Sequence, residues 1–251
     1  MSDPVLELRS IGVAYRRGRN PFRHDYYWAL KDVSLDLRHG ETLGVIGRNG
    51  VGKSTLLKVI AGIIAPDRGE IIQSTYRASL LSLQVGFVAQ LTGRENAVLS
   101  GMLLGAPRKR IQASMDSIIE FSELGDFIDE PVSSYSAGMK ARLGFSVAMQ
   151  ADPDILLIDE VLGVGDTEFR EKSAAEIKRT IKSDRSVILV SHNTELMQNL
   201  CNRVVWIEQG KTRAIGAPVE VMKAYAGQSL SLIHISEPTR PRRQSRLPSS
   251  A

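Results

Sequence analysis

The stretch "LGVIGRNGVGKSTLLKVIAG", residues 43–62, decides the fold. Its apolar start reads as a short strand, its end as a helix with a helical apolar pattern, and between them lies a glycine-rich loop. The loop fits the spacing G-x-x-x-x-G-K-[ST]. Glycines suit it because the backbone must wrap phosphate oxygens, where a Cβ would collide with the ligand. Lys53 reaches the β and γ phosphates and Ser54 offers its hydroxyl to Mg²⁺. Gly47, Asn49, Gly50, Gly52, Lys53, Ser54 and Thr55 are therefore the candidate nucleotide contacts. Alone, the motif indicates only a nucleoside triphosphate.

Outward from the loop, the chain alternates strands with helices. On the N-terminal side, VLELRSIGVAY reads as a strand ending at Tyr15, RRGRNPFRHDYYWAL as a basic and aromatic loop, VSLDL as a strand, and HGET as a hairpin-like turn. After the helix comes a strand pair around GEIIQ and ASLLSL. DILLIDE and SVILVSH are fully apolar runs carrying polar groups at their carboxyl ends, as strands of a parallel sheet do. RVVWIEQGKTRAIG reads as a hairpin and APVEVMKAYAG as a short helix. This rhythm implies a doubly wound α/β core. The section from Leu91 to Gln150 breaks it and reads as a helical insertion, with Thr92 and Glu95 placed as a capping box.

Three further features carry chemistry. Asp159, just past a buried strand, suits a direct or water-mediated Mg²⁺ contact, since hard cations take oxygen ligands. Glu160 suits orienting or deprotonating an attacking water, and His192 suits a γ-phosphate contact. The third is YSAGMK, residues 135–140, where Ser136 and Gly138 open a helix with Met139, Leu143 and Val147 on one face. Free N–H groups at such a helix start attract an anion, yet a complete phosphate loop already exists upstream.

The totals exclude several classes. A chain of 251 residues, 43% hydrophobic, can bury a real core. No run reaches the roughly 18–20 apolar residues of a membrane span, and MSDPVLELRS lacks the pattern of a signal peptide. One cysteine, Cys201, excludes an internal disulfide framework and suits a reducing compartment. The net charge of +4 rests mostly on the tail, where Arg240, Arg242, Arg243 and Arg246 face Glu237 alone, so no nucleic-acid partner is expected.

That tail carries a second peculiarity. LSLIHISEPTR resembles, along its whole length, the translation of a transposase adapter used in DNA library preparation. SRLPSSA resembles the adapter's far end, with Leu247 in place of Met. Residues 230–251 are accordingly expected to be read-through of an adapter, and residues 1–229 to form the native domain, with its helical part at about 91–150.

GRNGVGKST, YSAGMK, ILLIDE and SH, in this order, resemble the nucleotide-binding subunits of ABC transporters, over residues 5 to about 226. The resemblance implies an ABC-type P-loop NTPase domain with an N-terminal antiparallel β subdomain and a helical insertion, using ATP and Mg²⁺. It implies a head-to-tail homodimer in which Ser136 and Gly138, the signature, and Asp166, at the dimer seam, face nucleotide bound by the partner's loop. Ala137 and Met139 depart from the commonest Leu-Ser-Gly-Gly-Gln form. Tyr15 matches the aromatic that stacks on adenine, a role in which a plain strand-end tyrosine is the alternative. The Mg²⁺-coordinating, coupling glutamine should precede LTGREN; Gln84 and Gln90 are both near, and Gln84 is taken. WALKDVS, LTGREN, YSAGMKARLGFSVA and DEVLGVGD are similar to the branch that exports O-antigen, capsular polysaccharide or teichoic acid. That implies a motor at the cytoplasmic face of the inner membrane, paired with a separate transmembrane permease that moves a lipid-linked polysaccharide. Another transported substrate, or a soluble ATPase acting on ribosomes or DNA, are the alternatives.

Overall fold

A strand that is apolar at every position needs cover on both faces, and that requirement organises this molecule. The computed structural model describes residues 4–17, 25–73, 77–81, 86–159 and 166–233, with Gln73 and 228–233 described by backbone alone. Its strands are β1 (Pro4–Arg17), β2 (Asp25–Arg38), β3 (Thr42–Ile46), β4 (Arg68–Gln73), β5 (Ala78–Leu80), β6 (Ile155–Asp159), β7 (Ser186–Val190), β8 (Arg203–Glu208) and β9 (Lys211–Gly216). Its helices are α1 (Lys53–Ile60), α2 (Gly93–Leu103), α3 (Arg108–Ala113), α4 (Met115–Ser122), α5 (Ala137–Ala151), α6 (Thr167–Ile181), α7 (Thr194–Leu200) and α8 (Pro218–Ile233).

The sheet runs β4-β1-β2-β9-β8-β3-β7-β6-β5. From β8 to β5 the neighbours are parallel, whereas β1 pairs antiparallel with both β2 and β4, and β8 with β9. The α/β core with an antiparallel N-terminal part is thus present. Along β7, Ile188 and Val190 join one cluster with Leu43, Leu56 and Leu57, which α1 covers. Val187 and Leu189 point the other way and join Phe145, Phe169 and Met197 from α5, α6 and α7. Strands β6 and β8 alternate in the same manner, Leu157 and Val205 to the first face, Ile158 and Trp206 to the second. Each such side chain contributes roughly 1.5–3 kcal/mol by burial.

A third cluster, Ala97, Ile111, Met115, Ile118, Leu143 and Val147, holds α2 to α5 together. Helix α5 serves two clusters at once, because Phe145 and Met149 on its other side pack toward the sheet. The helical insertion therefore grips the core along a helix face, not at a linker.

Three local readings need correction. The segment 16–30 is not a plain loop: Arg16 and Arg17 end β1, and residues 25–30 belong to β2, whose Tyr26, Tyr27 and Trp28 pair with Arg16, Tyr15 and Ala14. Aromatics of this kind favour a pleated, half-buried surface, which overrode the loop-like composition. The HGET turn does not close a hairpin, since β8 and β9 stand between β2 and β3. The GEIIQ and ASLLSL strands, β4 and β5, lie at opposite ends of the sheet; β4 pairs with β1 and β5 with β6. Strand partners distant in sequence decided these cases.

Candidate functional site: a phosphate loop and a separate helix-capped pocket

Strands β3, β6 and β7 are sheet neighbours and end on the same side, with Asp159 level with Val190. The glycine loop leaves β3 there and turns into α1. Gly52 has φ +101°, and a Cβ on it would lie 2.5 Å from the Ala29 carbonyl oxygen, so the close approach demands glycine. A Cβ on Gly50 would meet nothing within 4 Å, which leaves that side of the loop open to a ligand. Gly52 caps α1 without any side-chain hydrogen bond, so the first N–H groups of the helix face the loop.

Lys53 is only 7% exposed. Its ammonium donates to the carbonyl oxygens of Gly47 at 2.7 Å and Arg48 at 3.1 Å. Loop oxygens therefore hold this cation in place at the start of α1. A cavity of about 450 Å³ is lined by Tyr15, Tyr27, Asn49, Gly50, Gly52, Lys53, Ser54, Thr55 and Asp159, among others. Sequence motifs separated by a hundred residues converge on it. The Tyr15 hydroxyl lies 3.5 Å from Thr55 Oγ1, and the Tyr27 hydroxyl donates to the Gly50 carbonyl at 3.0 Å. His192 is exposed just beyond β7 and is not among the lining residues. Glu160 and Gln84 lie outside the described residues; Gln90 is exposed in the turn before α2.

Ser136, Gly138 and Asp166 belong to a different depression, of about 310 Å³, which shares no lining residue with the first. Ser136 caps α5 by accepting from the Met139 N–H at 3.2 Å, and Asp166 caps α6 by accepting from the Phe169 N–H at 3.1 Å. Arg142 joins the two: its guanidinium donates to Asp166 and, at 2.8 Å, to Glu123, and it lies 5.2 Å over the Phe169 ring. The hydrogen bond from Arg142 holds the Asp166 carboxyl below its ordinary pKa. Lys172 donates to the same Glu123 at 2.6 Å and is the leading cause of that carboxyl's own depression.

Sequence reading missed Arg142 and Tyr27. Arg142 stands about one and a half turns into α5, and no local pattern marks its partners, which cap the ends of two other helices. Tyr27 was hidden in a segment read as loop.

A P-loop nucleoside triphosphatase is the class that this sheet, this loop and this buried lysine define. The chain matches the ABC transporter family over residues 30–163. It is 48% identical over 199 residues to the O-antigen export system ATP-binding protein RfbB of Klebsiella pneumoniae, covering 79% of this chain and 81% of that protein. It is 44% identical over 212 residues to the teichoic acids export ATP-binding protein TagH of Enterococcus faecalis, covering 84% of this chain but 47% of TagH. A solved dimeric ATP-binding cassette, described as a post-hydrolysis state bound to ADP and phosphate, shares the fold at a TM-score of 0.66 and 22% identity, over 85% of this chain and 98% of that one. The chain belongs to the ABC transporter family, as one of its ATP-binding ATPases.

Proposed function

We propose that this chain is the ATP-hydrolysing motor subunit of an exporter of lipid-linked polysaccharide, of the O-antigen, capsule or teichoic acid kind. It works as a homodimer with a separate transmembrane permease at the cytoplasmic face of the inner membrane. The observation that carries this reading is the split of the site. Lys53, Ser54, Thr55 and Asp159 line one cavity, while Ser136, Gly138 and Asp166 line another that shares no wall with it. The names of the O-antigen and teichoic acid relatives support the substrate class. Among the described residues, no helix is long and apolar enough to cross a membrane.

The loop amides and Lys53 hold the β and γ phosphates, and Tyr15 meets the base. Ser54, Asp159 and Gln84 would hold Mg²⁺, which when bound neutralises phosphate charge; the oxygen-rich donor set suits so hard a cation. Glu160 orients and deprotonates the attacking water, and His192 contacts the γ phosphate once the site closes. Ser136 and Gly138 of the second copy close over that phosphate with the N-terminus of their helix, and Asp166 lines the seam.

Glu160→Gln tests this. It should lower ATP turnover by about a hundredfold or more, the scale of losing a general base, while ATP binding stays. In a strain deleted for the gene, the wild-type chain should restore surface polysaccharide only when the permease is present. Normal turnover by Glu160→Gln sinks its catalytic role, and permease-independent restoration sinks the exporter reading.

A further inference from the structure

Three consecutive aromatics, Tyr26, Tyr27 and Trp28, follow Asp25 at the start of β2, and the pleat sorts them. Trp28 turns away, its ring 4.3 Å under the Arg68 guanidinium. Tyr26 pairs with Arg16 and shares Trp28's face of the pleat. Tyr27 alone of the three is the cross-strand partner of Tyr15. Directly opposed residues share a face and approach within contact distance. Both rings line the cavity that holds Lys53 and Ser54, and both are 40% exposed. The Tyr27 hydroxyl donates to Gly50, inside the phosphate loop, and Arg17 rests 5.1 Å from the centre of the Tyr27 ring.

We propose that Tyr27 is a second base-contacting residue of the nucleotide site, forming with Tyr15 a two-ring wall for the purine. The proposal rests on the reading of this cavity as the ATP site. Every base has a π face, so the wall adds affinity for any nucleotide that carries a base and none for bare phosphate. Its hydroxyl bond to Gly50 also fixes the distance between the base wall and the loop that takes the phosphates.

The test compares ATP, GTP and inorganic tripolyphosphate as ligands of the full chain. Tyr27→Leu should weaken ATP and GTP alike, by about tenfold, equivalent to about 1.4 kcal/mol, and leave tripolyphosphate within about twofold. Tyr27→Phe keeps the ring and should hold ATP within about threefold. The proposal is overturned if Tyr27→Leu binds ATP as the wild type does. It is equally overturned if that variant loses ATP and tripolyphosphate in equal measure, since Tyr27 would then only prop the Gly50 carbonyl. A wild-type chain that bound none of the three ligands would instead sink the ATP-site reading itself.

Discussion

Lys53 and Cys201 show how one residue's surroundings set its chemistry. Burying an ammonium is costly unless hydrogen bonds satisfy it, and here two loop carbonyls do so, at 2.7 and 3.1 Å. The loop's motif spacing marked the lysine in the sequence as a phosphate contact; the carbonyls that hold it here belong to that same loop, five and six residues before it. Cys201 is the opposite case. It is buried beside Met197, and burial alone pushes its thiol from near 9 up to about 12. The thiolate is the reactive form, so the native protein should resist iodoacetamide at pH 8 and react once denatured. The folded state binds the proton more tightly, so this group's contribution to stability is complete below about pH 9 and is lost as pH rises toward about 12. Thermal midpoints should therefore fall faster above pH 9 for the wild type than for Cys201→Ala. Equal slopes, or rapid native alkylation, refute the assignment.

At the scale of elements, two motif residues explain each other. Gly93 in LTGREN and Tyr135 in YSAGMK lie forty-odd residues apart in sequence, yet a Cβ on Gly93 would sit 2.2 Å from the Tyr135 hydroxyl. That hydroxyl donates to the Phe127 carbonyl, which ties the turn before α5 to the segment around Phe127, while the same hydroxyl lies against Gly93 at the start of α2. Gly93→Ala should cost about 2 kcal/mol as an overpacking change. Tyr135→Leu vacates the space, so in a double-mutant cycle by denaturant unfolding the alanine should then cost at least about 1 kcal/mol less. Strict additivity would show that the two positions do not meet. The sequence displayed each element here by local signals: the Thr92–Glu95 capping box is formed, with Thr92 Oγ1 accepting from the Glu95 N–H at 3.2 Å, and Ser136 caps α5. It could not display their juxtaposition. The same limit hid the partners of β4 and β5, because an edge strand's alternation says which side is buried and not which neighbour supplies its hydrogen bonds. It hid Arg142 too, whose acceptors Glu123 and Asp166 lie on opposite sides of it in sequence.

Across the whole molecule, the division of one set of chemical groups between two separate depressions favours a symmetric pair. Each copy offers a phosphate loop whose helix has no side-chain cap and, in a separate depression, a helix start capped by Ser136. A two-fold arrangement can set each loop against the partner's Ser136 helix start twice over, since a patch that meets its complement on one side meets it on the other by symmetry. The prediction is complementation. Lys53→Ala removes the loop cation, and Ser136→Arg blocks the capped helix while leaving that copy's own loop intact. Each variant alone should be nearly inactive in ATP hydrolysis. In an equal mixture, half of the dimers are mixed, and each mixed dimer rebuilds one complete site, from the Ser136→Arg copy's loop and the Lys53→Ala copy's serine. Turnover should then recover to about a quarter of the wild-type rate if the two sites fire independently. Full activity from Ser136→Arg alone would mean that one copy suffices, and the division of the site between two copies would be wrong.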